Sequence, residues 1–236
     1  MPEGSTPQKE VMRLVNGLAS YLGVTANGIS ISTLWDAKPP DAALGEPLHE
    51  FLKEVGASTF LYENYQSAAD FRDDYREKLN KNPSIGKTFT QAQFDESVRR
   101  MDVYKAWLLD AVLEMGKKHT VVVTQSEDVK SNYRDDPPPA YYIQPAWHQW
   151  WGSSVLGAPE VVIPAGQMPY KSRITGVTEH LPVMASLLTQ PGSDTQLLEL
   201  THAFLEGVGR PTVVKSGSTM FKIEGKAEEV PANPWL

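Results

Sequence analysis

The chain has 236 residues, 41% of them hydrophobic, with 22 basic and 29 acidic side chains for a formal net charge of −7, and no cysteine. This composition is that of a folded, soluble protein, and it excludes disulfides, thiolate metal sites and a cysteine nucleophile. Acids and bases are interspersed with no basic stripe to hold a nucleic-acid backbone; the start MPEGSTPQKE has neither region of a secretory signal, and no apolar run reaches the roughly 18 residues of a membrane span, so no membrane contact and a cytoplasmic location are expected.

Thr6-Pro7 predicts a helix start, with Thr as cap and Pro as first residue, and Val11, Leu14, Val15, Leu18 and Leu22 then recur at helical spacing. Residues 28–33 alternate around Ile29 and Ile31, which predicts a short strand. A proline-rich loop over 36–45 precedes a second helix near 47–55. Residues 64–80 read as a charged helix with Ala68, Phe71, Tyr75 and Leu79 inward. The longest helical pattern spans 90–118, with Phe94, Val98, Met101, Leu108, Val112 and Met115 on one face. His119 to Thr124 is a β-branched run that suits a buried strand, including one in a parallel pair.

Pro137-Pro138-Pro139 keeps 126–145 irregular. A short helix is expected over 146–155 and strands over 160–164 and 181–188. Pro191-Gly192-Ser193-Asp194 opens a helix carrying Leu197, Leu200, Phe204 and Val208, which Gly209 closes before Pro211. A last short strand falls at 219–223. Strands alternating with long helices predict an α/β fold, a partial mixed sheet flanked by helices. With no repeat and no clean linker, one domain over 1–236 is expected, with arms at 1–8 and 225–236.

Certain words recur in order from Tyr133 onward: YRDDPPPAYY, WHQWWGSSVLGAPEVVIPAGQMPY, SRITGVTEHLPV and PGSDTQLLELTHAFLEGVGRP. Their order, G-x-P before an apolar strand and P-x-G, then L-P-V, then G-x-D-x-x-L-L, resembles the carboxy-terminal half of amidase-signature proteins, the fungal branch in particular. Trp35 with Pro39-Pro40, Tyr62-Glu63-Asn64-Tyr65 and Phe71-Arg72-Asp73-Asp74-Tyr75 extend the resemblance to about 9–221. It implies a truncated amidase-signature-like domain, in which Gly157 and Gly166 bracket a strand and Asp194 caps a helix.

That family hydrolyses amides with a Ser-Ser-Lys set carried on elements that lie before the start of the matching region. Gly152-Ser153-Ser154 sits in the wrong place to replace it, so both serines are read as helix or turn residues. The resemblance therefore implies a repurposed, fungal secondary-metabolism enzyme: a cyclase, lyase or isomerase acting by acid/base chemistry on a small apolar molecule. The alternatives are the non-catalytic half of a split amidase, partnered by a chain bearing the Lys and Ser residues, or a ligand-binding pseudoenzyme. A half-fold leaves a sheet edge that a second copy of the chain would cover in a homodimer.

Gly86-Lys87-Thr88 lacks the frame of a phosphate loop. The five histidines (49, 119, 148, 180 and 202) show no ligand spacing, and neither metal nor cofactor is expected. Tyr141, Tyr142, Trp147, His148, Trp150 and Trp151 allow two readings: core filling, or an aromatic pocket for an apolar ligand with His148 as acid/base. A second constellation is Gln167, Tyr170, Lys171, Ser172, Thr175, Glu179 and His180, a stretch whose counterpart in the amidase-signature family faces the substrate cleft. Catalysis is assigned to His148, Glu179 and His180, and substrate binding to Tyr142, Trp147, Trp151, Gln167, Tyr170 and Thr175. Glu179 and His180, adjacent on a strand, point to opposite faces and cannot serve one pocket without a bulge. For Tyr133-Arg134-Asp135-Asp136, an Arg–Asp salt bridge holding the loop is expected.

Overall fold

Thr6 starts the first helix as expected. In the computed structural model its hydroxyl accepts from the Lys9 amide at 3.3 Å, Pro7 takes the first position, and α1 runs Pro7–Leu22 before Gly23 turns left-handed at φ 66°. Pro7 and Gln8 thus belong to a helix rather than an arm. The structure describes residues 6–67, 89–126, 129–137 and 144–213. Two compact units emerge: a sheet unit (Met1–Asn27, Val121–Pro138, Pro159–Leu236) and a helical unit (Gly28–Thr120, Pro139–Ala158). The rest of the helix expected over 64–80, the 86–88 word, the 219–223 strand and the 225–236 arm lie outside the described residues. Among the described residues no helix is long and apolar enough to cross a membrane.

In the sheet unit, β1 (Val122–Gln125), β2 (Glu160–Lys171) and β3 (Thr178–Leu188) form one sheet of order β1-β3-β2, flanked by α1 and by α7 (Asp194–Gly207). Helices flanking a sheet were expected; the described pairing is antiparallel throughout rather than mixed. The physical reason is the connection between β2 and β3, a turn over 172–177, whereas a parallel pair needs a crossover of about a dozen residues or more. β1 lies half-buried at an edge, not in a parallel pair. Val11, Leu14 and Leu18 of α1 and Leu197, Phe204 and Leu205 of α7 pack with Ile163, Ala165, Val183, Ala185 and Leu187 of the sheet.

Both long strands outrun their sequence estimates because a bulge at Pro164/Gly166 bends β2 without ending it. Gly166 therefore lies inside the strand instead of closing it. A Cβ there would meet the Glu10 carboxylate at 2.6 Å, so glycine lets a buried α1 side chain (4% exposed) rest on the backbone. Gly157 does end an element: at φ 61° it closes the short helix before β2.

Register explains how three prolines fit this sheet. Pro164 stands opposite Met184, Gln167 opposite Pro182 and Pro169 opposite His180. The Met184 carbonyl accepts from Ser126 on the β1 side, so Met184 and every second residue of β3 turn their backbone groups away from β2. Pro164, Pro169 and Pro182 all occupy positions of that set, where no β2–β3 ladder bond is lost. The outer edge of β2 consequently lacks a donor at two places.

The helical unit begins with α2 (Ile31–Ala37), where alternation had predicted a strand. Ser30 decides the difference: its hydroxyl accepts from the Thr33 amide at 3.3 Å, an N-cap that orders the next turn. Next come α3 (Leu48–Phe51), α4 (Val55–Ser67) and α5 (Gln91–Trp107), which opens with a Thr90–Gln93 capping box. A π turn (Leu108–Val112) continues α5. A 3₁₀ turn (Gln149–Trp151) runs into α6 (Gly152–Leu156), where the short helix was expected, and Ser153 and Ser154 lie on it as helical residues.

Fully buried Trp35 (0% exposed) centres this unit, 5.4 Å from Phe51, 6.2 Å from Tyr104 and 5.0 Å from Trp107 between ring centroids. Its indole N–H donates to the Glu46 carbonyl at 2.9 Å, and that of Trp107 donates to the Lys38 carbonyl at 2.8 Å. Arg100 closes the cluster, its guanidinium 4.8 Å from the Phe51 ring and donating to the Phe51 carbonyl and the Glu46 carboxylate at 2.9 Å each. Burial pushes the Tyr104 phenol well above its ordinary range. The inward face of α5 is therefore Ser97, Tyr104 and Trp107, while Val98, from the expected stripe, is exposed.

Candidate functional site

One groove lies within the helical unit. It measures about 570 Å³, within the range of small-molecule sites, and is lined by Ile31, Ser32 and Asp36 of α2, by Pro47, Leu48 and His49, and by Trp147. Each contribution has a local cause. The Ser30 cap sets the phase of α2, so Ser32 and Asp36, one helical turn apart, share a face. The Trp35 and Trp107 indoles fix the carbonyls of Glu46 and Lys38, and so hold both ends of the loop that delivers Pro47, Leu48 and His49.

Polar groups along the groove differ in how far the protein occupies them. Ser32 Oγ lies 3.1 Å from Ser30 Oγ. His49 Nε2 lies 3.6 Å from Glu50 Oε1, and Lys53 approaches the other oxygen of that carboxylate at 3.4 Å. The Asp36 carboxylate has no ion pair or hydrogen bond among the described residues; Lys38, two positions on, pairs with Asp110 at 3.5 Å instead. The Trp147 indole N–H has no protein acceptor among the described residues, in contrast to Trp35, Trp107 and Trp151.

Of the aromatic run, Trp147 lines the groove, whereas His148 and Trp151 are not among its lining residues. His148 caps the 3₁₀ turn: Nδ1 accepts from the Trp150 amide at 3.3 Å, and its ring stands edge-on to Trp150 at 5.0 Å. That bond uses the Nδ1 lone pair and places the neutral ring's proton on Nε2. Trp151 donates to the Gln144 carbonyl at 3.3 Å. Tyr141 and Tyr142 lie outside the described residues.

The second constellation divides between two faces of the β2–β3 hairpin. Tyr170 stands opposite Glu179, on the side of Val183, Ala185 and Leu187. Gln167 (2% exposed) and His180 occupy the other side, opposite Pro182 and Pro169. Both Glu179 oxygens are engaged, one by the Tyr170 hydroxyl and the other by Thr175 Oγ1 at 2.7 Å. The Tyr170 bond, then the Thr175 bond, holds the Glu179 carboxyl below its usual range, and the same contact holds the phenol above its own. Glu179 is thus a committed carboxylate that fastens the hairpin turn.

Nearby, Arg173 stacks 4.2 Å from the Tyr133 ring and bonds Asp135, and Asp136 at 2.9 Å, while its amide donates to the Tyr133 hydroxyl at 3.1 Å. An Arg–Asp bridge was expected here, and the arginine comes from the hairpin turn. This polar cluster organises a turn.

Sequence reasoning missed Ile31, Ser32, Asp36, Pro47, Leu48 and His49 as site residues. The available signal was Ser30: as a helix cap it would have placed Ser32 and Asp36 on one face. No family model, no curated protein and no solved structure matches the chain.

Proposed function

We propose that the protein is an enzyme that holds a small, mainly apolar molecule in the groove beside Trp147 and transforms it by acid/base catalysis without a serine nucleophile. One observation carries this reading. An apolar and aromatic lining of Ile31, Pro47, Leu48 and Trp147 is combined with one imidazole and one carboxylate, His49 and Asp36. Such a site suits a cyclisation, dehydration or isomerisation, reactions that need positioning and proton transfer. His49 takes the acid/base role because its imidazole lines the groove; His148 caps a turn, and Glu179 fastens one.

Descent from the amidase-signature fold is part of the same proposal. What supports it is the order of sequence words and where they fall: G-x-P before β2, P-x-G at the β2 bulge, L-P-V in β3 and G-x-D at the start of α7.

The test is fluorescence titration of the protein with a neutral naphthalene-sized aromatic, beside Trp147→Leu. Saturable binding lost in that variant is the expected result; saturable binding that Trp147→Leu leaves unchanged refutes the groove. For turnover, His49→Gln is expected to lower the rate about 10²–10⁴-fold with binding retained. His148→Ala is expected to keep the activity, and loss of activity there would return the acid/base role to His148.

A further inference from the structure

We infer that the ligand of this groove carries a cationic nitrogen, a protonated amine or a quaternary ammonium beside an apolar body. The inference rests on the groove reading above and adds the charge of the ligand. Its basis is an imbalance in how the protein distributes its own charges around the groove.

Asp36 lies near the carboxyl end of α2 (Ile31–Ala37), where the helix dipole already contributes negative potential. Its carboxylate is exposed and held by water, so a ligand that covers it must replace that water. The protein supplies it no cation among the described residues: Lys38 turns to Asp110, which also holds Lys117 at 2.9 Å, and Lys53 turns to Glu50. Among the described residues no lysine or arginine lines the groove. Anionic ligands would meet Asp36 with no counter-charge, and a neutral one would take water from that carboxylate without replacing it.

Trp147 completes the case. An indole face is the strongest aromatic partner of an ammonium, and here it lines the same groove as the unanswered carboxylate. Ile31, Pro47 and Leu48 give the apolar remainder of the ligand its contact surface. The chain's net charge of −7 draws cations toward the protein from a distance. Proton transfer by His49 then acts on a molecule whose charged nitrogen is anchored between Asp36 and Trp147.

The experiment compares three probes of one shape by calorimetry on the whole chain: naphthylethylammonium, the neutral naphthylethanol and the anionic naphthylacetate. The ammonium is expected to bind about tenfold tighter than the alcohol, the size of a partly desolvated cation–π and ion-pair contact. The acetate is expected to bind weakest. Asp36→Asn, at an exposed position, should bring ammonium and alcohol to within about twofold, chiefly by weakening the ammonium. Trp147→Phe should keep part of the preference and Trp147→Leu should lose it, with melting curves showing that both fold. Equal binding of ammonium and alcohol, or a preference that survives Asp36→Asn, overturns the inference and leaves an apolar groove. Binding of no probe, or binding that Trp147→Leu does not alter, removes the groove reading and this inference with it.

Discussion

The sheet unit and the helical unit fill their interiors with different materials. Around the sheet the buried groups are mostly aliphatic: Leu14, Leu18, Ile163, Val183, Leu187 and Leu197. They need only area and fit. In the helical unit Leu48, Leu52, Val55, Leu108 and Leu113 are buried too, but together with four large rings, two of them indoles whose polar edges must be satisfied. Those edges reach backbone carbonyls at Glu46 and Lys38, in a loop that has little regular structure of its own. An aliphatic core thus fastens elements to one another, whereas an aromatic core also fastens a loop. That second property is what allows the helical unit to present a groove wall.

The comparison is broken most directly at the centre of the rings. Trp35→Ala should cost about 3–5 kcal/mol by denaturant unfolding and should weaken ligand binding in the groove as well, since the 38–46 loop loses an anchor. Phe204→Ala, equally buried under the sheet, should cost less, because it leaves a cavity and orphans no carbonyl. Equal costs, with binding unaffected in both variants, would mean that the indole edges do not hold the loop.

Gly166→Ala sharpens the contrast from the sheet side, where close approach rather than ring packing sets the limit. Its Cβ would stand 2.6 Å from the Glu10 carboxylate, and a loss of about 1–3 kcal/mol is expected. Paired with Glu10→Ala, the two changes should add to less than their sum, and strict additivity in the double-mutant cycle would refute the contact.

A smaller effect follows from pH. Arg99 and then Arg100 hold Glu96 at about 2, against its ordinary 4.5. The unfolded chain binds more protons between those values, so the stabilisation is complete above about 4.5 and disappears as pH falls toward 2. Because the pair is nearly half exposed, screening limits it to at most about 1 kcal/mol, and added salt should erase it. Glu96→Gln should flatten that part of the stability-versus-pH curve, and an unaltered curve would count against the pairing. The least change in stability is expected for Pro169→Thr, within about 0.5 kcal/mol. Restoring a donor to the outer edge of β2 should nevertheless raise self-association by light scattering, and unchanged association would show that the prolines do not guard that edge.

How much of this the sequence carried differs between the units for the same physical reason. Aliphatic periodicity exposed α1 and α7 almost to the residue, because Val11, Leu14, Leu18, Leu197 and Phe204 are buried by period alone. Rings are not constrained in that way. On α5, Tyr104 and Trp107 outweighed a stripe of smaller apolar side chains that had the better spacing. At 28–33 two isoleucines imitated a strand, and a single hydroxyl at Ser30 settled the matter for helix. Trp147, singled out in the sequence by its company of aromatics, lines the groove. Asp36 and His49 were not singled out, since only the folded loop brings 36, 49 and 147 to one groove.

The π turn at Leu108–Val112 has a consequence for angle. Leu113 lies nine residues after Tyr104, about two and a half turns of an α-helix, which would aim the two side chains in opposite directions. Both are nevertheless buried, Leu113 at 0% exposure. The turn between them is wider, closed by the bond from the Leu113 amide to the Leu108 carbonyl at 3.0 Å, and it advances the chain by a smaller angle per residue than an α-helix does. It works as a vernier between the ring cluster and the chain that follows. Deleting one residue from it would turn Leu113 by about 100° relative to Tyr104 and take it out of its buried place.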